Sequence, residues 1–277
     1  MARALAQKLS VSLAQPVVVD NRPGAAGSLG SALAAKAPPD GYTAMIVSIS
    51  YSINPSLYRN LPFDPVKDLQ PVTLFASSPF MLLVNPAVPA KTVRELIAYA
   101  KERPGKLNYG SGGLGSSGHL AAELFSSMAG VQMTHIPYKG TGSAMADVLA
   151  GQLQLVFNSM LQGMPYVRSG RLTGMAVTSA RRSAIAPEIP TIAESGLPGY
   201  AFSSWYGMLV PRGTPAPIVD KLNAEVLRAL SQPDFREHIA KDGGEPIGST
   251  PAQFAAHLAA EMAKWKKVAQ ASDMRME

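Results

Sequence analysis

An α/β fold with largely parallel sheets is predicted by three features of this 277-residue chain. Apolar, β-branched runs of strand length alternate with helix-period patterns. Gly-rich turns carrying Ser or Thr recur between a strand and the next helix. From AFSSWYGMLVP (201–211) onward the pattern changes to helix after helix.

The elements follow in order. Leu5, Leu9 and Leu13 are spaced i, i+4, i+8 along one face of an opening helix. PVVVDN (16–21) reads as a β-branched strand, and RPGAAGSLG leads into a second helix that ends by about Lys36, before the PPDG turn at 38–41. YTAMIVSI is a strand, and SYSINPSLYRNLPFDP reads as a polar loop punctuated by proline. LQPVTLFASSPFMLLVNP (69–86) reads as extended, interrupted at Pro79.

Thr92-x-x-Glu95 is a capping box for a helix with Val93, Leu96, Ile97 and Ala100 on one face, stopped by Pro104-Gly105. Strand LNYG, a Gly-rich loop and a helix over 118–129 come next. MTHIPY, loop KGTGS, a helix through Met145, Val148 and Leu149, then strands QLVFN and TGMAVTS complete this alternation. One later helix carries Ile218, Leu222, Val226 and Leu230, and a short one Phe235 and Ile239. The last starts at Thr250-Pro251-x-Gln253, a capping box with Pro at N1, and runs along Phe254, Leu258, Met262, Trp265 and Ala269. The extended stretches near 70–84 and 201–210 suit crossings between two lobes.

Composition narrows the function. With 47% hydrophobic and 16% charged residues, the chain has apolar material for real cores and too little charge for disorder. Its 25 basic and 19 acidic side chains give a formal net charge of +6. The basic groupings Arg181-Arg182 and Lys264-Trp265-Lys266-Lys267 are short and far apart, which argues against nucleic acid and for steering a small anion. Absence of cysteine removes disulfides, thiolate nucleophiles and thiolate metal ligands. No apolar run approaches the roughly 20 residues of a membrane span, so no direct membrane insertion is expected. The chain opens inside a helix pattern with no signal peptide, as if something upstream had been removed.

Glycine-rich strand-to-helix loops occur at PGAAGSLGS (23–31), GSGGLGSSG (110–118) and KGTGSA (139–144). A helix N-terminus offers unpaired N–H groups and partial positive charge, and glycine lets an anion approach the backbone. Hydroxyls at Ser111, Ser116, Ser117 and Thr141 reinforce that reading. Gly110-x-Gly112-x-x-Gly115 has dinucleotide spacing, yet GVQMTHIPYKG, where the ribose-binding carboxylate belongs, has neither Asp nor Glu. His119, His135, His238 and His257 lack metal-ligand spacing, no G-x-S-x-G elbow occurs, and no carboxylate pair reads as acid and base. His119 either orients Ser116 or Ser117 or bonds nearby backbone in the first helical turn. A chain with anion-cradling loops and no nucleophile reads as a binder, not an enzyme, with no cofactor and no metal.

VVVDNRPGAAGSLG, PPDGYTAM, NPSLYRNLPFDPVKDLQPVTL, LNYGSGGLGSSGHLAAELF, IPYKGTGSAMADVLAGQLQLVFN, IPTIAESGLPGY and WYGMLVPRGTPAPIV together resemble the Bug-type periplasmic solute-binding proteins of tripartite tricarboxylate transporters. The resemblance runs in order over nearly the whole chain. It implies a two-lobed, periplasmic-binding-protein-like (type II) fold, with two mostly parallel sheets joined by two crossing strands and the ligand in the interlobe cleft. It implies lobe one from 1–78 plus 205–277 and lobe two from 79–204. It further implies high-affinity binding of a small di- or tricarboxylate or aromatic acid in the periplasm, and delivery to the transporter's membrane subunits. Carried over, the site draws on Ser50, Tyr51, Ser52, Ser111, Gly112, Gly113, Ser116, Ser117, Tyr138, Lys139, Gly140, Thr141 and position 158. Trp205 is a further candidate for an aromatic cleft wall, with hinge packing as the alternative.

Two departures from the family pattern bear on the ligand. Position 158 is Asn where the family very often has Asp, which favours plain carboxylates over amino acids if 158 faces the ligand; a neutral structural hydrogen bonder is the alternative. The family's signal peptide, first strand and first glycine-rich loop are missing before Met1, which is expected to leave unpaired sheet edges. Two other classes stay open: a nicotinamide-cofactor-binding α/β enzyme, and the effector-binding half of a transcription regulator.

Overall fold

The computed structural model describes residues 1–22, 27–241 and 243–271. The chain divides into two compact units, Met1–Ser77 with Trp205–Glu277 and Ser78–Ser204.

The first unit begins with α1 (Ala2–Leu13), α2 (Ser28–Ala35), β1 (Met45–Ser48) and α3 (Ser50–Leu57). It then takes the first part of β2 (Leu69–Val84) and, on the chain's return, most of β7 (Ser203–Pro211). α8 (Ala216–Ser231), α9 (Pro233–Lys241), β8 (Glu245–Pro246) and α10 (Pro251–Ala271) complete it. The predicted helix faces are the buried ones. Leu5 and Leu9 of α1, Val226 and Leu230 of α8, and Phe235 and Ile239 of α9 share a core with Val72 and Phe75 of β2 and Met208 and Val210 of β7. At α10 the capping box is reciprocal: the Thr250 N–H donates to Gln253 Oε1 (2.9 Å) and the Gln253 N–H to Thr250 Oγ1 (3.2 Å).

Three expectations fail in this unit. PVVVDN forms no strand: its residues enter no ladder among the described residues, and Val18 is 84% exposed. Val17 instead packs against the core and gives its N–H to Ser10 Oγ (2.9 Å). β-branching favours a strand only where a neighbour takes up the backbone groups. The polar loop predicted after β1 contains α3, whose Tyr51, Ile53 and Leu57 are buried and which packs on α10. Third, the ladders β1–β7 and β2–β8 are antiparallel, because β7 enters on the returning pass of the chain, against the direction of β1.

The second unit holds the rest of β2, then α4 (Val93–Glu102), β3 (Asn108–Ser111), α5 (Ser117–Ala129), β4 (Thr134–Pro137), α6 (Thr141–Leu149), β5 (Leu155–Ser159), α7 (Met160–Arg168) and β6 (Thr173–Val177). Here the expected parallel pairing is present: β3 lies between β4 and β5 and is parallel to both. β2 runs antiparallel to β5 and β6. Thr92 Oγ1 accepts the Glu95 N–H (3.2 Å), and Glu95 reaches back to the Lys91 N–H (2.6 Å), one residue before its expected target. β2 is continuous through Pro79. It pairs with β8 as far as Ser77 and with β5 from Phe80 onward.

Candidate functional site

β4, β3 and β5 run side by side in one direction, so the helices that follow them start along one edge of the sheet. Those helices are α6, α5 and α7, and their N-terminal residues are in contact. A Cβ at Gly112 would stand 3.2 Å from Thr141 Cγ2 and 3.4 Å from the Thr141 nitrogen. A Cβ at Gly118, in the first turn of α5, would come within 2.6 Å of the Phe157 carbonyl oxygen at the end of β5. The Thr141 hydroxyl donates to Gln162 Oε1 of α7 (3.3 Å). The second unit thus gathers three helix N-termini over the carboxyl ends of parallel strands.

α5 is capped by Ser116, whose Oγ accepts the His119 N–H (3.4 Å). Gly140 is the N-cap residue of α6 and Ser159 that of α7, neither making a side-chain cap bond among the described residues. Their first-turn N–H groups have no intrahelical acceptor, which is the condition for receiving an anion. The loop before α5 is pinned from inside. The Ser111 hydroxyl lies 3.1 Å from both the nitrogen and the carbonyl oxygen of Gly113 and 2.6 Å from His135 Nε2. Gly113 and Gly115 have φ of 114° and 70°, where a side chain would be strained.

Asn158 ends β5 at 2% exposure. Its Oδ1 accepts the Ser159 N–H (2.8 Å), while its Nδ2 is buried with no hydrogen-bond partner among the described residues. A buried donor left unmade costs about 1–3 kcal/mol, which marks the Asn158 amide as a candidate site group. Tyr138, Lys139 and Gly140 form the turn into α6. The Tyr138 phenol is pushed up to about 12, mainly by its hydrogen bond to the Asp147 carboxylate. Lys139 is exposed at this turn. Ser117 lies 3.3 Å from the hydroxyl of Ser204, a contact between residues 87 apart that no local pattern signals.

The candidates in the first unit stand differently. Ser50 is half-buried at the start of α3. Tyr51 is buried on Phe63 and donates its hydroxyl proton to the Pro65 carbonyl (2.7 Å); burial raises its pKa. Ser52 is fully buried and donates to the Ile49 carbonyl (2.6 Å). Trp205 is buried edge-on against Phe254 and His257 of α10 and gives its N–H to Glu261 Oε2 (3.2 Å). These side chains are engaged in holding β7 and α3 to their neighbours. Of the first Gly-rich loop, residues 23–26 lie outside the described residues. What is described of it packs inward: Ser28 accepts from Asn54 Nδ2 (3.0 Å) and Ser31 donates to the Gly27 carbonyl (3.0 Å).

Among the described residues no cluster of three His, Cys, Asp or Glu offers a metal site, and no helix is long and apolar enough to cross a membrane. Backbone N–H groups, hydroxyls and one amide gathered along one sheet edge are the candidate site, and the class they suit is a solute receptor.

The comparisons give that class a family. Residues 1–274 match the family described as the tripartite tricarboxylate transporter family receptor. An uncharacterised-family protein from the tcbD-tcbE intergenic region of Pseudomonas sp. is 38% identical over 97% of this chain and 80% of its own length. Protein BugT of Bordetella pertussis is 36% identical over 100% of this chain and 86% of its length. Among solved structures, Rpa4515 of R. palustris with adipate superposes with a TM-score of 0.88 at 38% identity, covering 99% of this chain and 93% of that one. MatC of Rhodopseudomonas palustris, with bound malate, reaches 0.83 at 31% identity over 96% and 92%. The periplasmic binding protein BugD gives 0.84 at 32% identity over 99% and 93%. The chain belongs to the tripartite tricarboxylate transporter receptor family, whose members are periplasmic solute-binding proteins and not enzymes.

Proposed function

We propose that this chain binds a small dicarboxylate in the periplasm and hands it to the membrane subunits of a tripartite transporter. The observation that carries the proposal is the unspent Asn158 Nδ2 donor beside the gathered N-termini of α5, α6 and α7. One carboxylate of the ligand takes N–H groups of Gly112, Ser117, Gly140 and Thr141 with the hydroxyls of Ser116 and Ser117. The Asn158 amide donates to a ligand oxygen. Adipate and malate in the two related structures support this ligand class.

Asn at 158 is neutral, so this position lacks the carboxylate that an amino-acid ammonium would pair with. The test is calorimetric titration with adipate, malate, succinate, citrate, terephthalate, aspartate and glutamate, together with thermal melts. A ligand at 100 times its Kd adds about 2.7 kcal/mol, a rise of several degrees for a chain of this size. The expected result is a rise with a plain diacid and a weaker one with its amino-acid counterpart. Asn158→Asp is expected to lower diacid affinity about tenfold, through like-charge repulsion near the ligand. Aspartate binding as tightly as malate would refute the role given to Asn158.

A further inference from the structure

We propose that His119 and His135 are positioning residues: a stacked, neutral pair, each carrying its proton on Nε2, that holds loop 111–116 in the shape that receives the anion. This deepens the ligand reading above and rests on it for the word anion only; the clamp itself is a property of the loop.

The two rings stack at a centroid distance of 4.1 Å beneath the loop, and Tyr109 stacks on His135 at 4.9 Å. Each histidine grips a different part of the loop. His119 Nδ1 accepts the Gly115 N–H (3.1 Å), so its proton is on Nε2, which faces Glu123 Oε1 at 3.9 Å. His135 acts through Ser111. That hydroxyl has three contacts: the Gly113 N–H, which it must accept, the Gly113 carbonyl and His135 Nε2. A hydroxyl has one proton and two lone pairs. All three contacts are satisfied together when the Ser111 proton goes to the Gly113 carbonyl and His135 donates its Nε2–H to Ser111 Oγ. The pair therefore fixes the backbone N–H groups at Gly113 and Gly115, the two positive-φ positions of the loop.

The surroundings keep both rings uncharged. His119 is 2% exposed, and burial lowers both histidines to about 4, His135 with a further push from His119 and a partial offset from Glu123. Tyr109 and Glu123 are the titratable groups against the pair, and they are bound to each other, the phenol donating to the Glu123 carboxylate. A loop built this way keeps its geometry unchanged across the neutral range.

Two substitutions per ring separate geometry from mere packing. Asn at 119 keeps an acceptor near the Nδ1 position and Gln at 135 keeps a polar group near Nε2, whereas Leu at either position keeps bulk and removes the bond. The readouts are amide hydrogen exchange at Gly113 and Gly115, with Val156 in β5 as internal control, and titration with adipate and malate. His119→Leu and His135→Leu are expected to speed exchange at Gly115 and Gly113 respectively by about tenfold or more and to weaken the bound acid by a similar factor, the worth of one lost hydrogen bond. His119→Asn and His135→Gln are expected to stay within about threefold of the parent. Nitrogen-15 spectra of the unmutated protein are expected to show protonated Nε2 and bare Nδ1 on both rings, and this stands even if a Leu variant does not fold. Equal behaviour of the Leu and polar variants, or a protonated Nδ1 on either ring, overturns the proposal. If neither acid binds the parent protein, the ligand reading fails alone, while exchange and tautomer still decide the clamp.

Discussion

The two units use the same polar residue types in opposite ways. In the first, Ser52, Tyr51 and Trp205 each spend their donor on a nearby acceptor, on the Ile49 carbonyl, the Pro65 carbonyl and Glu261. In the second, Ser111 and Ser116 are spent on shaping the loop that enters α5, beside the N-termini of α6 and α7. A satisfied hydroxyl stabilises the unit that contains it; a hydroxyl that orders open N–H groups prepares binding. The difference lies in what the neighbouring backbone lacks, not in the side chain.

The sharpest way to break this comparison is Trp205→Ala. It removes a buried ring and leaves Glu261 with one tryptophan fewer, so a loss of about 3–5 kcal/mol in urea unfolding is expected. Adipate affinity of the folded fraction should stay within about threefold of the parent; a drop above tenfold would make Trp205 a ligand residue after all.

The next effect is acid sensitivity in the second unit. His119 and His135 have pKa values lowered to about 4 from 6.5, so between those values the unfolded chain binds more protons than the folded one. Their contribution is complete above about pH 6.5 and disappears as pH falls toward 4. From His119 alone the loss by about pH 4.5 is roughly 2–3 kcal/mol, read as a shift in the urea midpoint between pH 7 and pH 4.5. His119→Asn should flatten that slope.

A smaller effect is expected from Gly118→Ala. The new Cβ meets the Phe157 carbonyl at 2.6 Å, a backbone atom that cannot rotate away. Destabilisation of about 1–3 kcal/mol is expected despite the better helix propensity of alanine, and the α5 N-terminus should be displaced enough to weaken diacid binding. The smallest pair tests the contrast most directly. Ser52→Ala and Ser116→Ala should each cost about 1 kcal/mol, but only Ser116→Ala should also raise the Kd for adipate. Equal effects on the Kd would erase the distinction between the units.

Much of the fold was legible because its signals are local. Thr92 and Thr250 announce their helices within four residues, and both caps are present. The i, i+4 faces of α1 and α8 turned inward as read. α3 was not legible: Pro55 and the Ser–Asn composition argue for a loop, and the helix is secured by α10, some two hundred residues later in the chain. PVVVDN misled for the converse reason, since strand propensity acts only beside a strand. Within the candidate site, the loops at 110–118 and 139–144 were visible as glycine patterns. The link from Ser111 to His135, the orphaned amide of Asn158 and the uncapped start of α7 were not, because each is a relation between separate elements.

Glu261 has a consequence for how this protein is observed. It accepts the indole N–H of both Trp205 and Trp265, and the chain has only 2 tryptophans. Every indole in the molecule therefore reports on a single carboxylate of the first unit. Intrinsic emission is thus a monitor of that unit's unfolding. The glycine loop of the second unit carries no indole, and it is tied toward them by the Ser117 hydroxyl on Ser204, the residue before Trp205. An indole introduced near α5 would add a direct optical report on the second unit, which the two native tryptophans watch only from the first.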